Sequence, residues 1–252
     1  MGSTRLPGKV LKPILGAPML FRQIERLRRC RAFERLIVAT SVDPSDDMLA
    51  SACAQRGVAV ARGSVADVLD RFIVAIGADQ PDAVVRLTGD CPLADPDVID
   101  AVVAFFREGG YDYASNVAPP TFPDGLDVEV MTTASLRRAH AEARLPSERE
   151  HVTPYLRNHP ELFKLGNYAG PVDLSGLRWT VDEPADFAFV CAVYERLYPA
   201  KPDFRLADIL ALLDAHPELA AINAAFERNA GFKTSLAADQ APPAAAARPP
   251  AS

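Results

Sequence analysis

The first eleven residues of the chain, MGSTRLPGKVL, combine small residues with cations. Gly2 and Ser3 would let backbone N–H groups approach an anion closely, and Arg5 and Lys9 add positive charge beside them. Dense N–H donors, a guanidinium fork and an ammonium point charge are the groups that recognise phosphate. The segment therefore predicts a loop that wraps phosphate groups.

Two aspartates follow apolar stretches that end abruptly. Asp90 lies in VVRLTGDCPLADP, and Asp182 lies in LRWTVDEPADF just before a proline that can open a helix. Mg²⁺ takes one or two carboxylates from a protein and its other ligands from water and substrate phosphates. Two acids opposite a phosphate loop thus predict a site for Mg²⁺ and a nucleoside triphosphate, although each aspartate could instead be an ordinary helix cap.

The elements that must position these residues alternate between strand and helix patterns. Short β-branched or aromatic runs at 35–41, 57–62, 82–90 and 111–116 predict buried strands. The amphipathic stretches between them predict helices; one of these should start with Asp95 as cap and Pro96 in the first turn. Such alternation predicts a mostly parallel, doubly wound sheet with its ligands at the carboxyl ends of the strands.

The composition favours a cytoplasmic α/β protein that does not bind nucleic acid. The net charge of −6 lacks the basic excess of a general nucleic-acid binder. The four cysteines are too far apart for a zinc or redox pair, and no signal peptide or long apolar run is evident, so we expect reduced thiols and no membrane insertion. We expect one domain over residues 1–233 and, since Ala and Pro dominate without aromatics, a disordered tail over 234–252.

Five ordered motifs carry a resemblance to a known family. They are MGSTRLPGKVL, RLTGDCPLADP, FPDGLDVEV, SEREHVTPYL and LRWTVDEPADF. In this order they resemble cytidylyltransferases of the spore-coat polysaccharide biosynthesis type, which are similar to CMP-sialate and CMP-deoxyoctulosonate synthetases. Over roughly residues 1–231, the resemblance implies a Rossmann-like (GT-A-like) nucleotidyltransferase with a mostly parallel mixed sheet flanked by helices. It also implies transfer of CMP from CTP to a sugar, expected to be acidic, with release of pyrophosphate, for surface polysaccharide or glycan synthesis.

The resemblance assigns the triphosphate to the N-terminal loop. Gly2 and Ser3 would give backbone amides, while Arg5 and Lys9 would bind phosphate and stabilise the charge that develops on departing pyrophosphate. Arg71, in VADVLDRF, is a further candidate for contact with nucleotide or phosphate.

The resemblance also makes Asp90 and Asp182 the Mg²⁺ ligands. A sugar hydroxyl would then attack the α-phosphorus in line, with no covalent enzyme intermediate.

Two stretches are predicted to face the sugar. The first offers Asp124, Asp127 and Glu129, and the second offers Arg149, Glu150 and His151. Arg149 could clamp a carboxylate through two parallel hydrogen bonds, and His151 or Glu150 could orient or deprotonate the attacking hydroxyl. The alternative for the second stretch is an ordinary helix start, with Ser147 as cap and Glu150 three residues on.

Two other functions stay open at this point. A GT-A-type glycosyltransferase would consume a nucleotide sugar and would be expected to carry an Asp-x-Asp metal motif, which TGDCPLADP matches poorly. A non-catalytic truncated homologue is the other alternative, because relatives in the family place an apolar strand and an arginine ahead of the loop. We expect in-frame codons ahead of Met1 to encode such a strand. The sequence is compatible with a homodimer and does not identify the sugar.

Overall fold

The structure is a computed structural model that describes residues 5–226, 228 and 239. The predictions for Gly2 and Ser3, and for the tail apart from Asp239, fall outside these residues.

The described strands are β1 Pro13–Ile14, β2 Ala17–Pro18, β3 Ile37–Ser41, β4 Ala59–Gly63, β5 Ala83–Arg86, β6 Tyr113–Ser115, β7 Glu129–Thr132 and β8 Leu165–Asn167. The described helices are α1 Met19–Leu27, α2 Asp47–Ala54, α3 Val68–Ile76, α4 Pro96–Gly109, α5 Thr133–Glu142, α6 Pro146–His151, α7 Pro154–Asn158, α8 Pro184–Leu197 and α9 Leu206–Ala215.

Strand pairing is mixed. β3 and β4 pair in parallel, with Ile37 opposite Ala59. β1 and β2 form an antiparallel pair. The remaining four strands follow the order β5-β7-β6-β8, in which β7 is antiparallel to both neighbours and β6 and β8 are parallel. Each of the four runs predicted as strands overlaps an observed strand, which confirms those predictions. The sequence analysis missed β7 and β8, and β7 brings the antiparallel pairing into the sheet.

Helices cover both faces of the sheet. Successive residues of β7 show this, because Val130 packs into the cluster that contains α4 and α8, whereas Met131 packs into the cluster that contains α3 and α5. Side chains on a strand point alternately to opposite faces, so a strand buried on both faces is apolar at consecutive positions. A third cluster joins α1 and α2 to β3 and β4. The observed α/β sheet with flanking helices agrees with the predicted fold class.

The sequence predicted one helix start correctly and misplaced another. At α4, Asp95 accepts a hydrogen bond from the Asp97 N–H at 2.8 Å and Pro96 occupies the first helical position, as expected. The predicted start at Ser147 with Glu150 is wrong. α6 begins at Pro146, and Glu148 is the acid that reaches back, accepting from two backbone N–H groups at 3.0 and 3.1 Å.

Within the described residues, β3 is paired only with β4, and β5 only with β7. The strand expected ahead of Met1 stays a prediction. Among the same residues, none of the helices combines the length and the apolar character needed to cross a bilayer.

Candidate active site

The predicted phosphate loop and the two predicted metal acids meet at a single side chain. The Lys9 Nζ atom lies 3.0 Å from Asp90 Oδ2, 2.9 Å from Asp182 Oδ1 and 2.7 Å from the carbonyl oxygen of Val181. These acids are 81 and 173 residues from Lys9 in the sequence. The fold therefore brings three separate motifs together around one ammonium group.

The backbone explains why the two acids are neighbours. Asp90 follows β5 after a short loop, and Asp182 directly precedes the Glu183 cap of α8. The two acid-bearing segments are joined by a hydrogen bond from the Val181 N–H to the Asp90 carbonyl oxygen at 2.9 Å. Lys9 starts a single 3-10 turn after Gly8, whose positive φ of 67° favours glycine. The turn directs the lysine to the acids.

Arg5 adds a second cation at the rim of this site. Its Nη1 atom lies 2.7 Å from Glu183 Oε1, and its Nη2 atom lies 3.4 Å from Asp182 Oδ1. The Arg5 side chain is 40% exposed, whereas that of Lys9 is 12% exposed. The exposed guanidinium is therefore free to rearrange toward an incoming anion, while the lysine is enclosed by its partners.

The charges at the site are mutually stabilised. Burial lowers the pKa of Lys9, but Asp90 and Asp182 outweigh this effect and hold that pKa above its ordinary value. Burial raises the pKa of Asp90, but Lys9 and hydrogen bonding reverse this and leave it below the usual range. At neutral pH, Lys9 is therefore a cation and Asp90 an anion.

A buried arginine, which sequence reasoning missed, fixes the position of Asp182. Arg178 donates to Asp182 Oδ2 at 3.2 Å, to Asp186 at 2.9 Å through two nitrogens, and to Asp124 Oδ2 at 3.1 Å. Asp186 is fully buried and also accepts from the backbone N–H groups of Asp182 and Glu183, both at 2.9 Å. The only signal in the sequence was a single cation inside the apolar stretch LRWTV.

The donor atoms fit a hard cation. Asp90, Asp182 and the carbonyl of Val181 present oxygen atoms to one point, and the Lys9 ammonium already binds there as a cation. Among residues 5–226, no group of three or more His, Cys, Asp or Glu side chains could hold a metal ion. A divalent ion at the acid pair would thus need further oxygens from water or a phosphate ligand, as Mg²⁺ does.

The first predicted sugar stretch lies beside the acid pair. Asp124 is held by Arg178, and Asp127 pairs with Arg228. Burial raises the pKa of Asp127 to about 6. Asp127 also lines a small cavity together with Thr88 and Cys91. Cys91 is buried, and burial raises the pKa of its thiol well above the ordinary value.

Glu129, the last acid of that stretch, lies in the sheet. It is the first residue of β7, and its carboxylate accepts from Tyr113 Oη and from Thr153 Oγ1, both at 2.6 Å, and from Arg86. These bonds satisfy a buried charge. A contact between Glu129 and a sugar stays a prediction.

The second predicted sugar stretch is held partly by other residues. Arg149 donates to Asp67 Oδ2 at 2.8 Å and to the His140 carbonyl oxygen at 2.7 Å, so clamping a sugar carboxylate would require exchange of these partners. His151 Nε2 lies 3.9 Å from Glu150 Oε2, and both side chains are partly exposed.

The backbone after His151 is strained. Val152 has a φ of 73°, and the Thr153 N–H donates to the His151 carbonyl oxygen at 2.8 Å, which closes a γ-turn. This turn orients both His151 and Thr153, and strain of this kind is often found at functional sites.

Arg71 lies near the carboxyl end of β4. It donates to the Val65 carbonyl oxygen at 3.4 Å, and a Cβ placed on Gly63 would lie 2.8 Å from its Cγ. Burial lowers the pKa of Arg71. The glycine therefore leaves room for the arginine side chain at the sheet edge where doubly wound folds bind ligands.

Comparison with known proteins identifies the family. A family model described as cytidylyltransferase matches residues 1–198. The spore coat polysaccharide biosynthesis protein SpsF of Bacillus subtilis (strain 168) is 34% identical over 226 residues, which cover 87% of this chain and 93% of that protein. A 3-deoxy-manno-octulosonate cytidylyltransferase of Anaeromyxobacter sp. (strain K) is 35% identical over 173 residues, covering 61% and 68% of the two chains.

A solved structure leads to the same family. The cytidylyltransferase from Leptospira borgpetersenii serovar Hardjo-bovis (strain JB197) is 32% identical and aligns with a TM-score of 0.83 over 90% of this chain and 95% of that chain. Because the family model, the relatives and this structure match over most of the chain, the protein belongs to the cytidylyltransferase family.

Proposed function

We propose that this protein transfers CMP from CTP to an acidic sugar, releases pyrophosphate, and uses Mg²⁺ held by Asp90 and Asp182. The observation that carries the proposal is the position of the Lys9 ammonium, within 3.0 Å of both carboxylates. This position supports a cation-binding oxygen cluster next to the segment predicted to bind phosphate. Mg²⁺ bound there would neutralise charge on the phosphates of CTP and polarise the α-phosphoryl group.

The residues of the chain would share the remaining work. Arg5 and Lys9 would bind the β- and γ-phosphates and stabilise the charge that develops on pyrophosphate as it leaves. Backbone amides of Gly2 and Ser3 would complete this loop, and Arg71 would contact the nucleotide. Arg178, through its bonds to Asp182 and Asp186, holds the carboxylate in place and is a positioning residue.

The acceptor would be a sugar acid bound beside the acid pair. Support comes from the name of the Anaeromyxobacter relative, which acts on 3-deoxy-manno-octulosonate, an acidic sugar. Asp124, Asp127 and Glu129 would line this side, and Arg149 with Glu150 would contact the sugar from the other predicted stretch.

His151 would be the general base. Burial lowers the pKa of His151, so its imidazole is neutral at physiological pH and can accept the proton of the attacking hydroxyl.

A nucleotide screen tests the proposal. The purified protein would be incubated with Mg²⁺, one of CTP, UTP, GTP or ATP, and acidic or neutral sugars, and pyrophosphate would be measured. We expect pyrophosphate with CTP and an acidic sugar. In a parallel incubation with nucleotide sugars in place of the triphosphates, release of a nucleoside diphosphate would indicate a glycosyltransferase. No turnover by the folded protein across a broad panel of acidic sugars would favour a non-catalytic homologue. We also propose that the protein forms a homodimer, which size-exclusion chromatography would test. A cytoplasmic location is a further part of the proposal.

A further inference from the structure

Lys9 has no proton left for a phosphate in this arrangement. A lysine ammonium carries three N–H donors. Those of Lys9 have three acceptors within 3.0 Å: Asp90 Oδ2, Asp182 Oδ1 and the Val181 carbonyl oxygen. The side chain is only 12% exposed. To bind the triphosphate, Lys9 must therefore give up at least one of these oxygens.

The carboxylates that bind Lys9 are also the ones proposed to hold the metal. Mg²⁺ at the acid pair needs the Asp90 and Asp182 carboxylates, and two cations cannot share them at hydrogen-bond distance without strong repulsion. The ammonium is a compact charge on a flexible four-carbon stem, so it can withdraw without unfolding the loop.

We propose that Lys9 is a built-in competitor of the metal, which neutralises the acid pair until a metal–nucleotide complex arrives and then transfers to the triphosphate. This inference rests on the proposed function in one respect, the assignment of Asp90 and Asp182 as metal ligands. It adds an order of events: metal alone binds poorly, and nucleotide promotes its binding.

The charges around the pair support this order. Lys9 cancels one of the two carboxylate charges, and Arg5 and Arg178 also lie within 3.4 Å of Asp182. Arg5 also pairs with Glu183, and Arg178 also pairs with Asp124 and Asp186, so the charge of the acid pair is offset mainly by Lys9. A divalent ion arriving alone must therefore compete with that ammonium. CTP changes this in two ways, because its phosphate oxygens ligate the metal and at the same time offer Lys9 new acceptors.

Mn²⁺ is a suitable probe, since water proton relaxation distinguishes protein-bound Mn²⁺ from free Mn²⁺ and from its complex with CTP. Affinity for Mn²⁺ would be measured at about pH 8, where carboxyl groups are ionised, with and without CTP. The proteins would be wild type, Lys9→Met and Lys12→Met. Lys12 is a matched control, because it is a nearby lysine of the same segment whose ammonium lies over the Phe187 ring, with its Nζ 5.6 Å from the ring centre.

Without CTP, we expect Lys9→Met to bind Mn²⁺ at least about tenfold more tightly than wild type, because one positive charge has left the site. Lys12→Met should match wild type. Adding Asp182→Asn to Lys9→Met should abolish the gain. With CTP, wild type should bind Mn²⁺ far better than without it, and Lys9→Met should show a smaller increase.

The outcomes separate the two ideas. Equal or weaker Mn²⁺ binding by Lys9→Met, with strong binding by wild type in the presence of CTP, would overturn the competition and leave the metal site intact. No protein-bound Mn²⁺ under any condition would overturn the metal assignment and the competition with it. Circular dichroism would establish that Lys9→Met is folded. The wild-type protein supplies an independent check, because equal Mn²⁺ affinity with and without CTP also contradicts the proposal.

Discussion

The Nζ atom of Lys9 lies 2.9 Å from Oδ1 of Asp182. This contact joins the N-terminal loop to the start of α8, which are far apart in the sequence, and it places a cation where the proposed reaction needs one. It also makes the N-terminal loop and the acid pair electrostatically dependent on each other. A substitution that removes the charge of either residue also removes an ion-pair partner from the other, and its effect should be interpreted with that loss in mind.

The first prediction concerns the acids. Asp90→Asn and Asp182→Asn should each lower turnover by about 100-fold or more, since an amide keeps the shape but loses the charge that holds a metal. Pyrophosphate release measures turnover, and circular dichroism checks the fold. Asp214→Asn, at an exposed position on α9, is the control and should be unaffected. Near-normal turnover in a folded Asp90→Asn or Asp182→Asn protein would remove that residue from the metal site.

The second prediction concerns Lys9 itself. Lys9→Ala should reduce kcat more than it weakens apparent CTP affinity, because the ammonium interacts most strongly with the charge that develops as pyrophosphate departs. Steady-state kinetics and a separate binding titration distinguish the two effects. A loss confined to CTP affinity would make Lys9 a binding residue only.

Motifs in the sequence singled out Lys9 as a cation in a glycine-rich loop, and Asp90 and Asp182 as acids that follow apolar stretches. The structure brings these three together, and the charges explain why. Arg178 could not be found in this way. A single arginine in an apolar, strand-like run forms no recognisable sequence pattern. Its role depends on hydrogen bonds to Asp124 and Asp186, which only the fold brings close to it.

The order and direction of the strands were the other feature that the sequence could not predict. Glu129 belongs to β7, which pairs antiparallel with β5 and β6. Such pairing depends on long-range contacts and not on local pattern, so alternation of strands and helices favoured parallel neighbours instead. At α6 the error was only two residues. Ser147 and Glu150 have the same three-residue spacing as Leu145, which precedes the helix, and Glu148. The backbone selects the second pair.

The third prediction concerns Gly125, between Asp124 and Leu126. Its φ is +109°, and a Cβ there would lie 2.5 Å from the Thr180 N atom and 2.6 Å from the Trp179 carbonyl carbon. Both are backbone atoms of the segment that leads to Asp182. Gly125→Ala should therefore lower the free energy of unfolding by about 2 kcal/mol or more and also reduce turnover.

Gly176→Ala is the matched control for Gly125→Ala. A Cβ on Gly176 meets no atom within 4 Å, so this variant should change stability by at most about 1 kcal/mol. Urea unfolding followed by circular dichroism measures both variants. Equal stability of the two would show that the backbone near Trp179 can move to accept a side chain.

The last prediction concerns the pH dependence of stability at Asp127. Burial raises the pKa of this carboxyl from 3.8 to about 6 despite the neighbouring Arg228. The folded protein therefore binds this proton more tightly than the unfolded chain does, and the contribution of Asp127 to the free energy of unfolding falls as the pH rises through this interval. Asp127→Asn cannot titrate. Urea unfolding of both proteins from about pH 4 to about pH 7 should show wild type losing stability relative to the variant up to about pH 6 and a constant difference above it. A difference that is constant throughout would mean that Arg228 keeps Asp127 ionised over the whole range.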